Sequence, residues 1–108
     1  MCSIFGVLDI KTDVKALRQQ ALQLSKLLRH RGPDWSGVWN NDHAILVHER
    51  LAIVDTENGA QPLINPNRNH ILAVNGEIYN HKNLEKNLHL KKFCFNGALA
   101  PVLREVRL

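Results

Sequence analysis

A chain of 108 residues with 44% hydrophobic and 22% charged residues has the composition of one small globular domain, not of a disordered or fibrous segment. Its two cysteines, Cys2 and Cys94, are too few for a disulfide framework and point to a reducing cytoplasm, and no apolar run approaches the ~20 residues of a membrane-spanning helix. The net charge of +4 is no nucleic-acid footprint: residues 1–81 hold eight Lys/Arg against eight Asp/Glu, and residues 82–108 hold six against two, without the clustered, aromatic-interleaved pattern that nucleic acid requires.

Cys2 follows the initiator methionine, and a small residue at position 2 permits removal of Met1. The new terminus carries a thiol and a free α-amine on one residue. That amine titrates close to neutrality, at about 7.7–8.0, and can act as general base for its own thiol. Alone, Cys2 is more simply a small residue that opens a buried strand. Residues 3–10 are apolar at most positions and predict a strand buried between layers, with Gly6 marking a bulge or a close backbone approach. Residues 13–29 predict a helix capped by Thr12 or Asp13, with Leu17, Ala21, Leu24 and Leu28 as its core-facing stripe. Gly32-Pro33 ends it. The crowding of Arg29, His30, Arg31 and Asp34 at that point fits either a plain helix stop with basic residues at the negative end or an ion-paired loop beside an active site. Past Trp35 to Asp42, strands are expected at Ala44–His48 and Leu51–Asp55, joined through Glu49-Arg50. Thr56 to Pro62 reads as a loop with a turn at Asn58-Gly59. A third strand, His70–Val74, ends at Asn75-Gly76-Glu77, and Asn80 caps a short helix through Leu84 and Leu88.

Three of these segments combine into chemistry. Asn75-Gly76 alone is a tight hairpin turn, and Arg50 alone is a residue between two strands paired with Glu49 or Asp55, a contact worth little where exposed. Together with Cys2 they describe a site for an amino-acid amide. The Asn75 side chain and the Gly76 N–H can face an oxyanion, Arg50 can hold an α-carboxylate in bidentate fashion, and Glu77 can hold an α-ammonium. A metal site built on Cys2, Cys94 and the six histidines lacks any C-x-x-C or H-x-x-x-H spacing.

The leading Met1-Cys2-Ser3-Ile4-Phe5-Gly6, then Arg31-Gly32-Pro33-Asp34, Glu49-Arg50-Leu51-Ala52-Ile53-Val54-Asp55, Gly59-Ala60-Gln61-Pro62-Leu63 and Val74-Asn75-Gly76-Glu77-Ile78-Tyr79-Asn80 closely resemble the glutaminase domain of glutamine-hydrolysing asparagine synthetases, above all the bacterial B type. An N-terminal cysteine is shared by other class II glutamine amidotransferases; the second and last of these motifs single out the asparagine synthetases. The resemblance implies an α+β N-terminal-nucleophile hydrolase fold, two antiparallel sheets between helical layers. It implies that Cys2 attacks the glutamine side-chain amide and releases ammonia through a glutamyl thioester. It assigns the oxyanion to Asn75 and Gly76, the glutamine carboxylate to Arg50, the glutamine amine in part to Glu77, and the pocket lining to main-chain groups of Leu51, Ala52, Ile53 and Val54. No cofactor is implied for this chain. In the full-length family, a homodimer, ammonia passes to a C-terminal synthetase domain that uses ATP and Mg2+ to activate aspartate.

The resemblance covers residues 1–87. Beyond them the family continues to a Gly-Ser-Asp-x-Glu-type segment whose aspartate shares the glutamine amine, whereas this chain reads Phe93-Cys94-Phe95-Asn96-Gly97-Ala98-Leu99-Ala100-Pro101 and has no aspartate in 56–108. The expectation is therefore a truncated, incomplete glutaminase domain with a divergent tail at 88–108 read as out-of-frame sequence. Exposed sheet edges would then limit solubility, and activity alone would be weak or absent. A non-catalytic product or interaction module is the competing reading; a retained Met1 would favour it.

Overall fold

The computed structural model describes residues 1–52, 60–65, 67–76, 79, 80 and 83. The chain divides into two compact units, residues 1–52 and 53–108, and the architecture is α+β.

The first unit is built on a three-stranded antiparallel sheet. Strand β1 is Ser3–Leu8, β2 is Trp35–Asn40 and β3 is Ala44–Arg50, in the order β1-β3-β2. β3 is thus central, paired with β1 from Ser3 opposite Glu49 to Leu8 opposite Ala44. On its other side it pairs with β2, from Trp35 opposite Arg50 to Asn40 opposite Ile45. A turn at Asn41 joins β2 to β3: its side-chain oxygen accepts the His43 and Ala44 N–H groups, both at 2.8 Å, as short polar side chains do in turns.

Because strand side chains alternate between faces, the register places Phe5, Val7, Val38, Ile45 and Val47 on one face. Helix α1, Val14–Ser25, packs there, and the core of this unit is Ile10, Ala21, Ile45 and Val47, flanked by Phe5, Val7, Val14, Leu17, Leu22 and Val38. Asp13 caps the helix as expected, its carboxylate accepting the Lys15 and Ala16 N–H groups at 3.2 and 3.4 Å. Asp13→Ala is expected to cost about 1 kcal/mol, read as a lower urea midpoint, while Asp13→Ser leaves the midpoint nearly unchanged.

Several expectations are corrected here. The helix ends at Ser25 and continues as a 3-10 turn, Lys26–Leu28. Its buried line runs through Ala21 and Ser25, and Leu24 is 50% exposed; at 100° per residue Leu24 falls on the rim of a face centred on Val14, Ala21 and Ser25. β1 is not sandwiched along its length: Ile4 and Leu8 point away from the helix and are exposed. Gly6 makes no bulge, since it pairs in regular register with Leu46. β2, which the sequence reading passed over, is a full strand. Leu51 and Ala52 belong to no strand, because the regular structure runs on through Glu49 and Arg50 instead of pausing there.

In the second unit, β4 (Leu63–Ile64) pairs antiparallel with β5 (Ile71–Leu72), Leu63 opposite Leu72. Asn65 closes the connection by accepting the Asn69 and His70 N–H groups at 3.0 Å. The Val74 N–H donates to the buried Gln61 side chain at 2.7 Å. Asn83 N–H donates to the Asn80 carbonyl at 3.0 Å. The rest of the segment expected as a helix after Asn80, the turn expected at Asn58-Gly59, Asp55, Cys94 and the 88–108 tail lie outside the described residues. Among the described residues no helix is long and apolar enough to cross a membrane.

Candidate active site

Cys2 immediately precedes β1, and continuing the β1–β3 register by one residue sets it across from Arg50. The sulfur is held by the residue after Arg50: the Leu51 N–H donates to Cys2 Sγ at 3.4 Å, and the thiol donates to the Leu51 carbonyl at 3.7 Å. Cys2 is half-buried and in no disulfide. Its side chain therefore has one fixed station, at the end of the central strand, with part of its surface open to an incoming group.

Arg50 is the last residue of β3, not a link between two strands, and is only 5% exposed. Nor does it pair with Glu49. Neighbouring strand residues face opposite ways, and Glu49 turns to the helix side, where Ser36 of β2 donates its hydroxyl to Glu49 Oε2. Ser36 and Glu49 are register partners, so this bond runs straight across the β2–β3 ladder. Glu49 Oε1 is buried and accepts no hydrogen bond among the described residues. Ser3, the residue across from Glu49 on β1, donates to the Leu28 carbonyl at 3.4 Å, tying the start of β1 to the end of the helical segment.

The loop after the helix reaches the same place. Arg31 N–H donates to the Leu28 carbonyl at 3.0 Å and Gly32 N–H to the Arg29 carbonyl at 3.2 Å, so the chain turns tightly here. Gly32 then lies directly on the β3 backbone: a methyl group at its α-carbon would overlap the Glu49 carbonyl and sit 2.7 Å from the Arg50 nitrogen. Asp34 N–H donates to the Arg50 carbonyl at 3.0 Å, and Asp34 Oδ2 accepts the Ala52 N–H at 2.8 Å. Of the two readings left open for this segment, the ion-paired one is not what the side chains do. Among the described residues the salt bridge is Lys11 with Asp9, on the surface. Asp34 binds main chain.

Cys2, Arg50, Leu51 and Ala52 are thus brought together at one end of the first unit's sheet. Asn75 and Gly76 belong to the second unit, past β5, in backbone without regular structure; Asn75 is exposed and Gly76 half-buried. The hairpin turn expected at this Asn-Gly pair would close on Glu77, outside the described residues. Ile53, Val54 and Glu77 lie outside the described residues. Among the described residues no group of three or more His, Cys, Asp or Glu is placed to hold a metal ion. What the sequence reading missed was the use of Asp34 and of Ser36. The signal for Ser36 was present in Trp35-Ser36-Gly37-Val38-Trp39-Asn40, aromatic and β-branched residues ahead of an asparagine turn.

The geometry combines a cysteine one residue from the chain start, with a thiol held by main chain, and a buried arginine on the adjoining strand. Comparison with known proteins covers the stretch that holds these residues. The family model for the glutamine amidotransferase domain matches residues 1–99. The chain is 68% identical over 84 residues to asparagine synthetase B (glutamine-hydrolysing) of Escherichia coli, a match covering 78% of this chain and 15% of that protein. It is 53% identical over 88 residues to a probable glutamine-hydrolysing asparagine synthetase of Dictyostelium discoideum, covering 82% and 16%. With the asparagine synthetase of Brassica oleracea it shares 50% over 93 residues, covering 86% and 16%. The chain spans only about a sixth of the length of these relatives.

Proposed function

The chain belongs to the glutamine amidotransferase domain family, and from that premise we propose that it carries the glutamine-cleaving part of a glutamine-hydrolysing asparagine synthetase. With Met1 removed, the α-amine of Cys2 takes the thiol proton and the sulfur attacks the side-chain amide carbon of glutamine. The C–N bond breaks as the nitrogen takes a proton and leaves as ammonia. Water then cleaves the glutamyl thioester, giving glutamate and the free thiol. Glutamine plus water becomes glutamate plus ammonia, a balance that needs no cofactor from this chain.

The observation that carries this reading is the station of Cys2 Sγ against Leu51, one residue past the buried Arg50. Arg50 takes the glutamine α-carboxylate through its two-pronged guanidinium, Glu77 the α-ammonium, and main-chain groups of Leu51, Ala52, Ile53 and Val54 line the pocket. Asn75 and Gly76 supply the donors to the tetrahedral oxyanion, an interaction whose loss costs roughly 100- to 1,000-fold in such reactions. Residues 1–87 carry the motifs of this part; the family match runs on to residue 99, while the basic 88–108 segment lacks the Gly-Ser-Asp-x-Glu-type pattern. The names of the relatives support onward use of the ammonia in asparagine synthesis; aspartate as its acceptor, and ATP with Mg2+ outside this chain, belong to the same proposal.

The test is the intact mass of the purified chain before and after 6-diazo-5-oxo-norleucine, a glutamine analogue that alkylates amidotransferase cysteines. Loss of Met1 and one adduct, mapped to Cys2, is the expected result. A chain that keeps Met1, or one that loses it and takes no adduct, contradicts the reading.

A further inference from the structure

We infer that Asp34 is a positioning residue for the nucleophile, holding Leu51 so that Leu51 can hold the sulfur of Cys2. The inference rests on the amidotransferase reading for its consequence, since that reading makes Cys2 the attacking group. Its geometry stands apart from that reading.

Leu51 has left the sheet, so the pairing that fixes the rest of β3 no longer fixes it. β3 ends at Arg50, and Leu51 is the first residue without a partner strand. Yet its N–H and carbonyl are the two groups that meet Cys2 Sγ, at 3.4 and 3.7 Å. A sulfur held by a drifting peptide would have no fixed place. Asp34 supplies what the sheet does not. Its N–H binds the carbonyl on one side of Leu51, that of Arg50, at 3.0 Å, and its carboxylate binds the N–H on the other side, that of Ala52, at 2.8 Å. The residue that touches the nucleophile is bracketed by the two groups of one aspartate. Asp34 itself is anchored by Gly32, which packs face to face on the Glu49–Arg50 peptide with no room for a side chain. The path runs Gly32, Asp34, Leu51, Cys2, all within the first unit.

Only one of the two bonds from Asp34 uses the side chain, and it needs an acceptor oxygen at that position, not a negative charge. The N–H bond survives any substitution other than proline. Removing the carboxylate should therefore loosen Leu51 and Ala52 and leave the sheet in place, while asparagine, which keeps an acceptor oxygen at the same reach, should restore the contact.

The experiment uses the full chain with two readouts, residue-resolved amide hydrogen exchange and the labelling rate of Cys2 by 6-diazo-5-oxo-norleucine. In Asp34→Ala, Leu51 and Ala52 amides should exchange about tenfold faster, the size of one charge-assisted hydrogen bond at the lower end of its range, while β1 and β3 amides such as Val7 and Val47 stay unchanged. Cys2 labelling should slow by about the same factor, and Asp34→Asn should recover both within about threefold. Should Asp34→Ala lose the sheet, Asp34→Asn is compared with Asp34→Leu, which is close in size to asparagine and has no acceptor. Unchanged Leu51 exchange in the variant without an acceptor, or asparagine as damaging as that variant, overturns the inference. Faster Leu51 exchange in a chain whose wild type takes no label supports the clamp while contradicting the amidotransferase reading, so the two fail separately.

Discussion

Cys2→Ala is expected to abolish the 6-diazo-5-oxo-norleucine adduct and any release of ammonia from glutamine, with the fold intact. The side chain is half-buried and precedes the first strand, so its loss removes two weak sulfur contacts with Leu51 and leaves the Ile45–Val47 core untouched. A stability change within about 1 kcal/mol is therefore expected. The chemical loss is total, because alanine has no nucleophile. A sharper variant of the experiment leaves the thiol in place and removes the base. The same chain produced with its methionine aminopeptidase inhibited keeps Met1, so the residue-2 nitrogen is an amide and cannot accept a proton. Labelling of Cys2 should then fall by at least roughly 100-fold, the lower end of what a positioned general base contributes. If the Met1-retaining chain labels at the rate of the processed one, the α-amine is not the base, even with Cys2 as nucleophile. An adduct that persists in Cys2→Ala would place the reactive thiol at Cys94 instead.

The parts of this molecule that were legible in the sequence are those in which a residue acts through its own neighbourhood. Asp13 caps a helix because the two N–H groups it binds follow it directly in the chain. Asn41 makes its turn the same way, through the N–H groups that follow it, although the sequence reading passed over it. What could not be read was anything set by pairing across the chain. Register decides which face a strand residue takes, and a shift of one reverses it. Glu49 and Arg50, adjacent and opposite in charge, suggested a pair; the register sends one to Ser36 on the helix side and the other to the end where Cys2 lies. Leu24 kept helical spacing with Leu17 and Leu28, yet the sheet meets the helix about half a side chain further round, at Ala21 and Ser25. The Arg29–Asp34 crowd looked electrostatic because its composition is charged. Its work is steric and main-chain, and composition does not show that Gly32 has a strand lying against it.

That contact makes Gly32→Ala the most damaging single substitution expected in the first unit. No unusual backbone angle is at issue: the cost comes from space. A β-carbon would overlap the Glu49 carbonyl and stand 2.7 Å from the Arg50 nitrogen, and these are backbone atoms of the central strand. β3 cannot retreat, because β1 pairs with it over Ala44–Glu49 and β2 over Ile45–Arg50, so that Glu49 is held from both sides. The loop must lift instead, giving up the Asp34 bonds to Arg50 and Ala52. Overpacking of this kind, with hydrogen bonds lost in addition, should cost at least about 3 kcal/mol. That is a large part of the total for so small a unit, and in a domain of this size it lowers Tm by roughly 12 °C or more. The control lies in the same sheet. A methyl at Gly6 would meet Leu46 Cδ2 at 3.4 Å and the Ile45 carbonyl at 3.9 Å, an ordinary contact with a side chain that can turn. Gly6→Ala should then change stability by less than about 1 kcal/mol, and can raise it by stiffening the unfolded chain. The pair is read by thermal unfolding of both variants side by side. A Gly32→Ala chain as stable as Gly6→Ala would mean that the loop does not lie on β3, and the bracketing of Leu51 by Asp34 would fall with it.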